Sequence, residues 1–311
     1  MAPTTKTAPP VTGIIGGTGL YGIEGFEGAQ WVDVESAFGT PSDQLLIGDF
    51  KGHRLVFLPR HGRGHRIPPS QINYRANIEA LKRAGVTQVI SFSAVGSLRE
   101  DLAPGTFVIV DQYIDRTFAR EKSFFGEGFT AHVSMADPVC ARLGDALEAA
   151  AKQAKTPVIR GGTYIVMEGP QFSTRAESEL YRSWGCDVIG MTNMPEAKLA
   201  REAEMCYATV AMVTDYDCWH PHHEAVTATA ILKVLAENTG HARNLVRAVV
   251  PALDAAPPPP KSSGKDSTNC PHGCDRALSS AVATARDSRD PAVTRKLSVI
   301  AGRVMREKGW A

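Results

Sequence analysis

Two aspartates leave an apolar stretch in Val213-Thr214-Asp215-Tyr216-Asp217-Cys218-Trp219, two residues apart, so that an extended chain would set both carboxyls on one side. Acids held this close can share one proton. The protonated carboxyl can then donate to a leaving-group nitrogen while its carbonyl oxygen accepts from an amino group. Helix capping and a calcium-like acidic turn are the competing readings, and the segment lacks the further oxygen ligands that calcium needs.

Other segments offer donors to an anion. Gly16-Gly17-Thr18-Gly19 follows an apolar run, where glycines let backbone amides approach an oxyanion and the Thr18 hydroxyl adds a donor; tight packing of a strand exit explains it equally simply. It is neither a Walker loop nor a dinucleotide fingerprint, because no Gly-Lys-Ser/Thr follows and the third glycine is misplaced. Arg60-His61-Gly62-Arg63-Gly64-His65-Arg66 supplies a guanidinium fork suited to phosphate and two imidazoles, or else a solvated run of charge. Ser93 and the amides of the small residues after it, and Thr192 before a helical pattern, add donors that strand exits or a helix cap would also explain. Phe172, after Met167-Glu168-Gly169-Pro170, has the shape to stack on a flat heterocycle or to fill core.

Strands are predicted over 11–15, 54–58, 88–93, 107–111, 163–167, 187–191 and 207–214, where short β-branched runs end in small or polar residues. Helical spacing covers 72–83, 139–151, 175–184, 195–204 and 225–250, with Pro195 suited to a first turn. The alternation gives an α/β fold. Ligands of open α/β sheets bind beyond the carboxyl ends of strands, where these donors fall. Residues 1–254 read as one catalytic domain, 255–268 as a Pro/Ser-rich linker and 269–311 as an appended helical tail.

A chain of 311 residues with 43% hydrophobic residues, 22% charged residues and net charge +1 is neither disordered nor built to coat nucleic acid. It lacks a secretory leader and any run of about 18 apolar residues, so the expected location is cytoplasmic, with no membrane partner. Six scattered cysteines do not make a disulfide framework. Cys270-Pro271-His272-Gly273-Cys274 offers three zinc ligands where a structural site needs four, so no metal is expected; free thiols, a redox-sensitive disulfide and metal stay open there.

Taken in order, Gly16-Gly17-Thr18-Gly19, Arg60-His61-Gly62-Arg63, Asn73-Tyr74-Arg75-Ala76-Asn77, Met167-Glu168-Gly169-Pro170, Met191-Thr192 and Thr214-Asp215-Tyr216-Asp217-Cys218-Trp219 resemble the S-methyl-5'-thioadenosine phosphorylase family of the trimeric purine nucleoside phosphorylases, across roughly residues 11–250. The resemblance implies a mixed central sheet flanked by helices. It implies a phosphate site of Thr18, Arg60, His61, Ser93, Ala94 and Thr192, with Ser93 where relatives usually carry threonine. It also implies Met191 beside the ribose, Phe172 beside the base, Asp215 and Asp217 on adenine, and Ala228 and Leu232 lining an apolar 5' pocket. His132 resembles a histidine that relatives lend to a neighbouring subunit, which implies a homotrimer.

The implied reaction is phosphorolysis: inorganic phosphate enters at the anomeric carbon as adenine leaves, with Asp215 as proton donor to N7, inorganic phosphate as co-substrate and neither cofactor nor metal. Three rivals remain. A 6-oxopurine nucleoside phosphorylase is disfavoured by an acid at 215, where such relatives carry asparagine, and a hydrolytic nucleosidase by the dense set of anion donors. A non-catalytic nucleoside sensor on the same fold is disfavoured by retention of donors and acids together.

Overall fold

Residues of successive strands divide alternately between two apolar clusters, which is why the strand sequences are apolar on both faces. Ile15, Val56 and Leu58 join one cluster, with Ile78, Leu81, Leu199 and Ala200. Ile14, Leu55 and Phe57 join the other, with Leu143, Leu147, Leu245 and Val249. A sheet buried on both sides between helix layers follows.

The computed structural model describes residues 10–17, 19–221, 228–254 and 270–310. Its strands are β1 (Val11–Gly16), β2 (Phe26–Val32), β3 (Leu45–Phe50), β4 (His53–Pro59), β5 (Val86–Ser97), β6 (Phe107–Ile109), β7 (Gln112–Asp115), β8 (Val158–Arg160), β9 (Thr163–Val166), β10 (Val188–Gly190) and β11 (Cys206–Asp215). Its α-helices are α1 (Tyr74–Arg83), α2 (Ala141–Gln153), α3 (Arg175–Ser183), α4 (Asn193–Glu202), α5 (Ala228–Asp254), α6 (Pro291–Lys296) and α7 (Gly302–Glu307). No helix among the described residues is long and apolar enough to cross a membrane.

All seven expected strands and five expected helices are present, with shifted ends. The strands not foreseen include β2, whose side chains are mostly exposed and lack any apolar alternation, and three-residue β8. The sheet is mixed. β5 is its axis, pairing parallel with β1 and β11 and antiparallel with β10, while β11 also pairs antiparallel with β6.

The segment expected as an appended helical tail is instead part of the packed body. Leu278, Leu297, Ile300 and Val304 are buried in the first cluster, and Cys270 and Cys274 in the second. Among the described residues there, only α6 and α7, six residues each, are α-helical. The Leu278 amide and the Arg303 guanidinium both donate to the buried Glu204 carboxylate, and Ala131 bridges Val282. The expected linker, 255–268, lies outside the described residues.

Candidate active site

β11 is buried along its length until its last residue, Asp215, emerges at the carboxyl end of the sheet. The Thr214 hydroxyl donates to Asp215 Oδ2 at 2.7 Å and the Asp217 amide to Oδ1 at 2.8 Å. Asp217 has φ +50°, so the chain turns here rather than running extended; the two acids are neighbours because of that turn, not because of strand alternation. Both rest on Gly96 of β5, where a Cβ would lie 2.9 Å from Asp215 Oδ1 and 3.3 Å from Asp217 Cβ. Burial raises the pKa of each carboxyl, and the Asp217 charge adds to the rise at Asp215 against the two hydrogen bonds it accepts. The pair is thus biased toward holding a proton.

Upstream on β5, Ser93 and Ala94 face Ala211 and Met212 of β11 in parallel register. The Ser93 hydroxyl lies 2.9 Å from that of Thr192 and 3.0 Å from Tyr164 OH. Thr192 precedes α4, which is interrupted by extended Met194 (φ −117°, ψ 131°), and makes no side-chain cap; its hydroxyl is directed to Ser93 instead. A Cβ on Gly190 would lie 2.0 Å from Tyr164 OH, so the absence of a side chain there is required.

Arg60 is brought to the same place, but its fork is taken. Its Nε donates to Glu196 Oε2 at 2.8 Å and its Nη2 to Glu196 Oε1 at 3.1 Å, with Nη2 also on Ser91 Oγ and Nη1 on the Phe92 carbonyl. Of the five guanidinium N–H groups, one on Nη1 remains for a ligand. Burial alone would lower the Arg60 pKa, but the Glu196 charge and hydrogen bonds raise it. Glu196 also accepts from Ser91 Oγ at 2.6 Å and Tyr207 OH at 2.8 Å, and Asn193 Nδ2 donates to Tyr207 and Thr209. Sequence reasoning missed this buried network, because Glu196 in the first turn after Pro195 reads as an ordinary helix-start acid.

His61 Nδ1 lies 2.8 Å from the Ile67 carbonyl, which fixes the proton on that nitrogen and leaves Nε2 as an acceptor. Its ring stacks on His65 at 4.1 Å. Burial first, then the Arg60 charge, lowers the His61 pKa to about 4. Because the folded value lies below the unfolded one near 6.5, the unfolded chain binds more protons between the two. Stability contributed by neutral His61 is therefore complete above about pH 6.5 and falls by up to about 3 kcal/mol as pH drops to about 4. Urea unfolding of the wild type and His61→Gln at pH 7 and pH 4.5 checks this; the variant should lose less stability over that span.

Arg120, also unforeseen, joins the loops on the far side of the site. Its Nη1 donates to the Met191 and Met194 carbonyls and its Nη2 to the Glu168 carbonyl at 2.7 Å. Gly169, at φ +71°, lies against Met191, whose Sδ would be 2.5 Å from a Cβ there. Phe172 follows in the same loop and is 43% exposed, so it is available to a ligand rather than used as core. α5 ties the two ends of the site together, with Asn238 Nδ2 on the Val213 carbonyl and Arg243 Nε on the Gly19 carbonyl.

Other expected residues are not brought in. Leu232 is 63% exposed on α5, and His132 is exposed, its amide bonded to the Ala281 carbonyl. Thr18 and the Ala228 side chain lie outside the described residues.

The profile of the phosphorylase superfamily matches residues 12–251. The S-methyl-5'-thioadenosine phosphorylase of Rhodospirillum rubrum is 60% identical over 296 residues, 95% of this chain and 97% of the relative. That of Cereibacter sphaeroides is 58% identical over 94% of this chain and 98% of the relative. A methylthioadenosine phosphorylase from an antarctic soil metagenomic library superposes with a TM-score of 0.84 at 42% identity, covering 95% of this chain and 99% of the other. Methylthioadenosine phosphorylase from Schistosoma mansoni, solved with adenine, gives 0.75 at 37% identity over 80% and 93%.

Proposed function

The chain belongs to the phosphorylase superfamily and, within it, to the S-methyl-5'-thioadenosine phosphorylases; from that membership we propose how its residues divide the work. The reaction is phosphorolysis of S-methyl-5'-thioadenosine to adenine and 5-methylthioribose 1-phosphate, a pentosyl transfer with phosphate as co-substrate. The observation that carries the assignment of roles is the pairing, at one end of β5, of a raised-pKa acid couple with a hydroxyl pair three residues upstream. Three residues of strand span about 10 Å, room for a base held at one end and a phosphate at the other, on opposite sides of one anomeric carbon.

Phosphate lies over Ser93, Ala94 and Thr192, with Thr18 from the glycine turn and the remaining Arg60 N–H as further donors. His61 Nε2, an acceptor, takes the hydroxyl of hydrogen phosphate. That contact keeps the protonated oxygen on His61 and leaves an unprotonated oxygen for the anomeric carbon. As the C–N bond lengthens, positive charge on the sugar is stabilised by the phosphate that will attack it, and protonated Asp215 donates to N7 of the leaving adenine. Asp217, locked by its turn, holds Asp215 in place and shares the base. Phe172 stacks on adenine and Met191 packs on the ribose. Ala228 and Leu232 meet the methylthio group from α5, and the exposed Leu232 and His132 are consistent with completion of the site in a homotrimer. Cofactor-free, metal-free catalysis in the cytoplasm completes the reading.

Adenine release from S-methyl-5'-thioadenosine with and without inorganic phosphate, beside inosine, is the test. Release should require phosphate and favour the methylthio substrate. Phosphate-independent release would mean a hydrolase, and preference for inosine would remove the role given to Asp215.

A further inference from the structure

Away from the active site, four cysteine side chains from three distant parts of the chain meet in one buried spot. Cys140 is the N-cap of α2 and makes no cap hydrogen bond; Cys206 opens β11; Cys270 and Cys274 come from the C-terminal segment. All four are buried, none is in a disulfide, and their sulfurs all lie within 4.8 Å of one another. The Cys140 and Cys270 sulfurs are 3.7 Å apart. A tetrahedral zinc centre with Zn–S bonds of about 2.3 Å has S···S edges of about 3.8 Å.

We propose that Cys140, Cys206, Cys270 and Cys274 bind one structural zinc ion as a tetrathiolate. The ligands that the Cys270-to-Cys274 stretch lacks come from the start of α2 and from β11. His272, which sequence spacing offered as a third ligand, is exposed and turned out of the spot. Gly273, at φ +69°, closes the turn that lets both flanking sulfurs face inward, with its amide on the Cys270 carbonyl at 3.1 Å. The sulfurs are too close together for a multinuclear iron–sulfur cluster, whose ligands stand farther apart around several metal atoms. The chemistry balances as Zn²⁺ and four thiols giving a dianionic zinc tetrathiolate and four protons. Partly buried Arg142 lies beside Cys206, and the N-terminus of α2 begins at the residue after Cys140, so positive charge is already placed against that product.

The site's place in the fold indicates its work. It lies at the amino end of β11, about 30 Å along the strand from Asp215, too far to touch substrate. It fastens the segment from 270 onward to α2 and the sheet.

The protein purified without chelators should contain one zinc per chain, released by titration with an organomercurial as four thiols react. Zinc removed and replaced by cobalt(II) should give thiolate-to-cobalt charge-transfer bands and the intense visible bands of a tetrahedral site. Cys270→Ser and Cys206→Ser should each lower the zinc content, and chelator should lower Tm in the wild type more than in Cys270→Ser. Fully reduced protein that holds no zinc and gives no tetrahedral cobalt spectrum would overturn the assignment, as would an intact mass showing disulfides among these four cysteines, or iron in place of zinc. Those readouts concern the folded wild type, so they stand even if a variant fails to fold.

Discussion

Asp215→Asn is expected to lower kcat/KM for S-methyl-5'-thioadenosine by about 10²–10⁴-fold, the range a positioned general acid supplies. Asparagine is nearly isosteric, and its carbonyl can keep accepting from the Asp217 amide while the Thr214 hydroxyl rotates to accept from the new NH₂. The fold should therefore stand, and the loss should appear in kcat as well as kcat/KM. An amide at this position can donate to a 6-oxo group, so the ratio of inosine to methylthioadenosine turnover should rise. Parallel kinetics on both substrates check it; unchanged selectivity with a small rate loss would count against Asp215 as the acid.

Glu196→Gln should cost stability instead, by about 3–5 kcal/mol, because it leaves the 2% exposed Arg60 guanidinium without its counter-charge. No orientation of the amide repairs the loss. One carboxylate oxygen accepts from Arg60 Nη2, Ser91 and Tyr207 and the other from Arg60 Nε, so whichever takes the NH₂ group sets donors against donors. Denaturant unfolding of the two proteins at pH 7 measures this. Because Arg60 sits beside the phosphate donors, KM for phosphate should also rise in whatever fraction remains folded.

The contrast between these residues explains how much was legible beforehand. Asp215 ends β11 and Thr192 follows β10, while Ser93 sits within β5 where its apolar run gives way to small residues; each such change marks a place that faces a ligand. Glu196, Asn193, Tyr207 and Arg120 stand inside or beneath elements, and their polar character is satisfied by partners tens of residues away that no local pattern reveals. The seven foreseen strands announced themselves by apolar, β-branched runs, whereas exposed β2 had no apolar pattern and β8 only three residues. The paired acids were found for a partly wrong reason, since the positive φ of Asp217 is invisible in a residue type that only mildly favours it. The closing segment was misjudged because a Pro-rich stretch usually separates bodies, and here both sides of it enter the same clusters.

That packing sets a rule for synthesis. Leu278, Ile300 and Val304 belong to the same apolar cluster as Ile15, Val56 and Val89, so a core begun by β1 and β4 is completed by residues far later in the chain. Until then an apolar flank of the nascent sheet stays open to solvent. Late-arriving contacts of such long sequence separation slow folding and prolong exposure to aggregation, so docking of the segment from 270 onward is the step that shields this core.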